Sequence, residues 1–166
     1  DYVIGSMHEL PDHDDFAFLD YSKENVPELM EKNFNEILKL CQWDGFDILG
    51  HLTYALRYIE GEQKIKVDME HYRDIIAEIF KTVIKNGKGI EINTSAWWDD
   101  PYWGEDVLKL YRDLGGQYIT TGSDAHRSDR VAKRIKEAEK LAAAAGIPLI
   151  ATFQRMKPIF HPLGSI

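Results

Sequence analysis

Short apolar runs alternate along this chain with longer segments of helical periodicity, and this alternation restricts the possible folds more than any other feature. Strands that are buried on both faces have such a continuous apolar character, because neither face has to be polar. Five runs of four or five residues fit this description. They occupy residues 2–5, 46–50, 89–92, 117–120 and 148–152, and a final strand-like pair is separated by 154–157.

Four segments between the runs place apolar residues at steps of three and four, which predicts amphipathic helices. They lie at 26–41, 72–84, 107–114 and 131–145. Asn25 with Glu28 is a candidate N-terminal capping pair for the first helix. Asp68 is a candidate cap for the second, and Gly87 is placed to end it. Strands that alternate with helices predict an α/β fold, in which parallel strands with right-handed crossovers form a barrel or a doubly wound sheet.

The length and composition of the chain indicate one globular domain. Its 166 residues suffice for a core of ordinary size, and 44% of them are apolar. No apolar run approaches the about 18 residues of a membrane span. The 28 acidic residues exceed the 20 basic ones, and the formal charge of −8 would repel nucleic acid or an anionic membrane surface. Because Cys41 is the single cysteine and no basic-then-apolar leader precedes Asp1, we expect a reducing cytoplasm.

Unusual polar residues follow the predicted strands at their carboxyl ends. In chain order they are Ser6, His8, His51, Glu91, Asn93, Asp124 and His126. In a closed barrel such positions converge on one mouth, where active sites are built. Histidine and carboxylate side chains suit zinc, iron or manganese, and a bound divalent ion lowers the pKa of its water to about 7. The pattern therefore predicts metal-assisted hydrolysis, and the Asp-x-His step would place two ligands on one side of an extended segment.

Most of these residues also have a structural interpretation. A single histidine after a strand is more often a cap or a core residue than a ligand, and only the set as a whole favours a metal. Glu91 is either a carboxylate that anchors a loop or a ligand or substrate contact, and Asn93 is also a candidate turn residue. For His13, His71 and His161 we expect structural or solvent-exposed positions.

Two arginines and an aromatic cluster complete the candidates. Arg57 and Arg127 stand close in sequence to the candidate ligands, where a guanidinium suits a phosphate ester; the alternative for each is a surface ion pair. The aromatic residues within 97–103 either stack on a ring of a substrate or form a lid or a subunit contact. Cys41 falls on the apolar face of a predicted helix, which argues against a nucleophile there.

Four motifs at these strand ends resemble those of a known family. They are Gly5-Ser6-Met7-His8, Gly50-His51-Leu52-Thr53, Glu91-Ile92-Asn93-Thr94-Ser95 and Gly122-Ser123-Asp124-Ala125-His126. Their order and spacing resemble the polymerase and histidinol phosphatase (PHP) superfamily, closest to its histidinol-phosphate phosphatases. The resemblance extends from residue 1 to about residue 163, and the last motif is the most specific.

The resemblance implies the C-terminal part of a distorted TIM-like (β/α)7 barrel, with a cluster of divalent metals, zinc, iron or manganese, at the strand ends. The positions that match metal ligands are His8, His51, Asp124 and His126. Asp124 and His126 are also the catalytic candidates, and the group that protonates the leaving alkoxide is left open. The residues expected to bind substrate are Arg57, Arg127, Glu91, Asn93 and Ser6. The implied reaction converts L-histidinol phosphate and water to L-histidinol and phosphate in histidine biosynthesis.

The family pattern also begins with a His-x-His strand and continues with a further His and a Glu, all upstream of the segment that matches Asp1. The resemblance therefore implies that 1–166 is an N-terminally truncated PHP domain of roughly 260–270 residues with an incomplete metal cluster and little activity alone. The alternatives are another PHP phosphoesterase, a polymerase-associated nuclease, which the acidic charge disfavours, and a non-catalytic interaction fragment. Exposed sheet edges would favour a homo-oligomer that covers them.

Overall fold

One six-stranded sheet organises the residues that the computed structural model describes, which are 1–95 and 104–163. The strands are β1 (Ile4–Gly5), β2 (Ile48–Leu49), β3 (Gly89–Asn93), β4 (Tyr118–Gly122), β5 (Leu149–Gln154) and β6 (Lys157–Pro162), and they neighbour one another in this order. The first five are parallel, whereas β6 runs antiparallel to β5 as a hairpin. The prediction of an α/β fold with parallel strands is confirmed.

Helices connect the parallel strands. They are α1 (Val26–Trp43), α2 (Tyr54–Leu56), α3 (Arg73–Lys85), α4 (Glu105–Asp113) and α5 (Ile135–Ala144). The chain continues beyond α2 as a π-helix at Arg57–Glu62, and short 3₁₀ helices lie at Met69–Tyr72 and Ser128–Arg130. None of the helices within the described ranges is long and apolar enough to cross a membrane.

The predicted helix ends of the first two long helices are confirmed. The Asn25 side chain accepts a hydrogen bond from the Glu28 backbone N–H at 3.5 Å, which caps α1. Asp68 accepts one from the N–H of Glu70 and begins the 3₁₀ turn that leads into α3. Gly87 follows α3 with φ 72°, a left-handed conformation that glycine adopts without steric cost.

Two helical segments differ from the prediction. The last helix was expected to begin at 131, but it begins at Ile135, because Ala132 and Arg134 have φ 59° and 62° and cannot continue a right-handed helix. Val131, which was assigned to its apolar face, is 67% exposed. The helical segment at 54–62 was not predicted.

Alternate residues of the strands point to opposite faces of the sheet, and this separates the core from the site. Leu49, Ile90 and Ile92 pack with apolar residues of α1 and α3 in the main core. The core residues of these two helices include Leu29, Phe34, Ile37, Ile76, Ile79 and Phe80. Glu91 and Asn93 alternate with Ile90 and Ile92 and therefore lie on the other face, yet both remain buried.

The two ends of the sheet approach each other. The carbonyl oxygen of Asp1 accepts a hydrogen bond from the Met156 N–H at 2.9 Å, and the Tyr2 ring stacks on Phe153 with 4.5 Å between the centroids. Within the described residues, however, β1 pairs with β2 alone and β6 with β5 alone. The sheet is therefore strongly curled, with the polar strand ends of its concave side directed into one opening.

Candidate metal centre

The carboxyl ends of the parallel strands open onto one cavity of about 740 Å³. Because β1 to β4 are parallel neighbours, the residues that follow them lie side by side. The predicted site residues that line this cavity are Ser6, His8, His51, Arg57, Glu91, Asn93, Asp124 and His126. Arg127 is not among the lining residues, and its Nε donates to Asp129 at 3.0 Å. The aromatic residues at 97–103 lie outside the described residues.

His8 and His51 form a pair of imidazoles at the ends of β1 and β2. Their ring centroids are 4.6 Å apart, and the rings meet nearly edge to face. His51 is buried, and its Nδ1 has no hydrogen-bond partner in the part of the chain that the structure describes. Burial, followed by repulsion from His8, lowers the pKa of His51 to about 4. The ring is therefore neutral at physiological pH, which is the form that binds metals.

Glu91 holds the loop that presents His51. Its Oε2 accepts the backbone N–H of His51 at 3.2 Å and the side-chain amide of Asn93 at 3.3 Å. Burial is the main cause that raises the pKa of this carboxyl group. The asparagine is held in turn, because its Oδ1 accepts the N–H of Ser95 at 2.9 Å. Both residues thus have positioning contacts in addition to their place on the cavity wall.

Two glycines allow side chains to pack closely at the strand ends. A Cβ on Gly122, at the end of β4, would collide with the Oε1 of Glu91. A Cβ on Gly50 would lie 2.6 Å from the Oγ of Ser6. The absence of a side chain at Gly50 therefore lets the ends of β1 and β2 lie close together. Larger residues at either position would displace the groups that line the cavity.

Asp124 and His126 form the second pair of candidate ligands. The Nε2 of His126 lies 3.3 Å from the Oδ1 of Asp124, and the other carboxylate oxygen accepts a hydrogen bond from Ser95 at 3.4 Å. The two side chains approach because of a bend, since Asp124 has φ 44°. The expectation of an extended Asp-x-His segment is therefore wrong, although the proximity that it predicted is present. Left-handed non-glycine residues are strained and are frequent at functional sites.

Arg57 contributes the one guanidinium among the residues that line the cavity. It begins the π-helix after α2, and its Nη1 donates to Ser95 at 3.2 Å. Its Nε is buried and has no partner among the described residues. A buried, unused N–H next to the cavity is suited to an anionic oxygen.

The sequence did not identify Asp15, Tyr54 and Tyr58, which also line the cavity. The Tyr54 hydroxyl donates to the Asp15 carboxylate at 3.0 Å and accepts from the Tyr58 hydroxyl at 3.1 Å. The Tyr54 ring also contacts His8 and His51, with centroid distances of 4.7 and 4.9 Å. The one available signal was the position of Asp15 in a long loop that follows a strand.

The donors suit a divalent metal in kind, although they are few. The unpartnered Nδ1 of buried His51 is a free imidazole nitrogen, and imidazole and carboxylate are ligands for zinc, iron and manganese. Within residues 1–95 and 104–163, no group of three or more His, Cys, Asp or Glu side chains is arranged to hold a metal ion. The described residues therefore offer two donor pairs, His8 with His51 and Asp124 with His126.

Comparisons with curated proteins identify histidinol phosphatases as relatives. The histidinol-phosphatase of Lactococcus lactis subsp. lactis strain IL1403 is 31% identical over 165 residues, which are 95% of this chain and 60% of the relative. A probable histidinol-phosphatase of Thermotoga maritima is 34% identical over 136 residues, 76% of this chain and 54% of the relative. One from Clostridium acetobutylicum is 31% identical over 149 residues, 86% of this chain and 56% of the relative. The chain thus spans somewhat more than half the length of these relatives.

A solved structure has a similar fold. It is the crystal structure of histidinol phosphate phosphatase from Lactococcus lactis complexed with zinc, L-histidinol and phosphate. It matches with a TM-score of 0.76 and 29% identity over 96% of this chain and 62% of that one. The family model for the PHP domain matches residues 1–95, which contain the first three strand ends of the cavity. Together with the motifs at those strand ends, these matches show that the chain belongs to the PHP domain family.

Proposed function

We propose that this chain provides part of the active site of a metal-dependent phosphomonoesterase that hydrolyses L-histidinol phosphate to L-histidinol and phosphate. The observation that carries the proposal is the unpartnered imidazole nitrogen of His51 on a cavity that also holds His8, Asp124 and His126. The zinc, L-histidinol and phosphate of the Lactococcus lactis structure support the same reaction here.

The residues that would hold the metal are His8, His51, Asp124 and His126. A divalent metal bound there supplies an activated water for attack on phosphorus and offsets the negative charge of the phosphate. Neutral imidazole at His51 suits this role, since burial keeps its pKa at about 4. The choice among zinc, iron and manganese stays open, because all three accept histidine and carboxylate ligands.

Arg57 is the residue that we assign to the phosphate. Its unpartnered Nε donates to a phosphate oxygen, while the bond from Nη1 to Ser95 fixes the direction of the guanidinium. Ser6 and Asn93 line the same wall and stay predicted substrate contacts. Arg127 stays a prediction as well, and binding substrate would require it to leave its contact with Asp129.

His126 and Asp124 are the proposed catalytic residues. The His126 side chain is 84% exposed, and its Nε2 faces the Asp124 carboxylate. The same nitrogen serves either as a metal ligand or as the carrier of the proton that the leaving alkoxide takes up. The compartment that we infer is the cytoplasm, where the single buried thiol of Cys41 would stay reduced.

The experiment measures metal content and phosphate release from L-histidinol phosphate with the protein as its gene encodes it. We expect bound metal and hydrolysis that a chelator abolishes. The double variant His8→Ala/His51→Ala should lose metal and activity, whereas His71→Ala, at an exposed helix position, should retain both. Metal content unchanged in the double variant would refute the ligand assignment. Hydrolysis that survives the chelator, or cleavage of other phosphate esters but not this one, would refute the proposed function.

A further inference from the structure

The cavity holds a carboxylate that the proposed reaction does not use. Asp15 lies in the loop that follows β1 and lines the cavity together with His8 and Arg57. The loop returns to the strand end, because the Phe16 N–H donates to the His8 carbonyl at 3.1 Å and Glu9 forms an antiparallel bridge with Asp15. The Phe16 ring is almost fully buried and anchors this return in the core.

The carboxylate of Asp15 is fixed in direction. Its Oδ1 accepts the N–H of Ala17 at 2.8 Å and the Tyr54 hydroxyl at 3.0 Å. The Tyr54 hydroxyl is itself oriented, since it accepts the hydroxyl proton of Tyr58. A preorganised acceptor of this kind loses little conformational freedom when a ligand binds.

Asp15 also retains unused acceptor capacity. Its Oδ2 has one contact, the Tyr54 hydroxyl at 3.3 Å, whereas a carboxylate oxygen accepts two hydrogen bonds. Among the described residues, no lysine, arginine or histidine forms an ion pair with it. Asp124 lies 3.3 Å from His126, and Glu91, which also has neutral donors alone, is buried beside the His51 backbone. Asp15 is thus an oriented, partly exposed carboxylate on this cavity that has no cationic partner among the described residues.

We propose that Asp15 binds a positively charged nitrogen in the organic part of the substrate and so determines which phosphate esters the site accepts. The inference rests on the proposed function, in which Arg57 and the metal take the phosphate. A phosphate ester of an amino alcohol carries a negative charge in one part and a positive charge in the other. The cavity is lined by both a guanidinium, that of Arg57, and a carboxylate without a cationic partner among the described residues, that of Asp15. L-Histidinol phosphate has two groups that supply such a nitrogen, the amine and, when it is protonated, the imidazole, and either donates to Oδ2.

The test compares the Asp15→Asn variant with the wild-type protein on three phosphate esters. Both proteins have the full length that the gene encodes and are loaded with metal. The esters are L-histidinol phosphate, the same ester without its amine, and phenyl phosphate. The variant keeps the acceptor for Ala17 and Tyr54 but loses the charge. We expect KM for L-histidinol phosphate to rise about 10-fold or more with little change in kcat, because hydrogen bonds to charged groups contribute this much. The kinetics on phenyl phosphate should be unchanged.

The ester without its amine identifies the nitrogen. If Asp15 binds the amine, the variant and the wild type should have equal KM values for this ester; if it binds the imidazole, the increase persists. Asp14→Asn is the matched control, since Asp14 is exposed on the same loop and does not line the cavity. It should leave all three esters unaffected.

Equal losses on L-histidinol phosphate and phenyl phosphate, or no loss on either, would overturn the inference while the proposed function stands. Failure of the wild type to hydrolyse L-histidinol phosphate would overturn both. If a thermal melt shows that Asp15→Asn does not fold, the Tyr54→Phe variant tests the inference in its place. It keeps the ring against His8 and His51 but releases Asp15, and it should raise the same KM by a smaller factor.

Discussion

The backbone N–H of His51 donates to the Oε2 of Glu91 at 3.2 Å and ties the end of β2 to β3. The bond joins residues that are 40 positions apart, and it places the ring of His51 on the cavity without using either of its nitrogens. A buried carboxylate therefore positions one candidate ligand through the main chain.

We expect Glu91→Ala to lower the free energy of unfolding by about 1–3 kcal/mol, because two buried donors, the His51 N–H and the Asn93 amide, lose their acceptor. Glu91→Gln should lose less, since its amide oxygen still accepts. Urea unfolding followed by circular dichroism measures both. Equal destabilisation by the two substitutions would contradict a role for the hydrogen bonds.

Gly122 is expected to tolerate no side chain while Glu91 is present. Gly122→Ala should destabilise the protein by about 1–3 kcal/mol, because its Cβ would occupy the position of the Glu91 Oε1. In Gly122→Ala/Glu91→Ala the collision is absent, so the double variant should lose less stability than the sum of the single ones. The double-mutant cycle is measured by urea unfolding, and strictly additive losses would contradict the close approach.

The strands and the strand-end residues were predictable because each depends on local sequence. An apolar run followed by His or Asp indicates where a strand ends. Because the strands are parallel neighbours, their ends then bring His8, His51 and Glu91 together. Asp15 was not predictable, since its partner Tyr54 is 39 residues away in a helix too short to have a periodic signature. The late start of α5 depends on the backbone at Ala132, which apolar spacing does not report.

The edges of the sheet give a prediction about assembly. Ile4 of β1 and the preceding Val3 are 42% and 44% exposed, and Ile159 and Phe160 of β6 are 42% and 48% exposed. Each edge strand has one neighbour within the described residues. Because exposed apolar edges pair with other strands, we expect the 166-residue chain to form a homodimer of about twice 19.1 kDa.

Light scattering tests this expectation, and Ile159→Lys should shift the measured mass towards that of one chain. Phe18→Lys is the matched control, because Phe18 is 80% exposed but lies in the loop between β1 and α1 rather than at an edge. A monodisperse monomer for the unchanged chain would contradict the prediction.

The turn between β5 and β6 is the site where a substitution should increase stability. Its two residues, Arg155 and Met156, have φ 52° and 63°, the left-handed pair that a tight hairpin turn requires and that Asn-Gly adopts most readily. Arg155→Asn/Met156→Gly should therefore raise the free energy of unfolding by about 1 kcal/mol, and it preserves the Met156 N–H bond to Asp1. The urea midpoint should rise with an unchanged slope. Met156→Ala, which shortens the side chain but keeps the steric cost of a Cβ, should give no such gain, and an equal gain from it would show that the backbone conformation is not the cause.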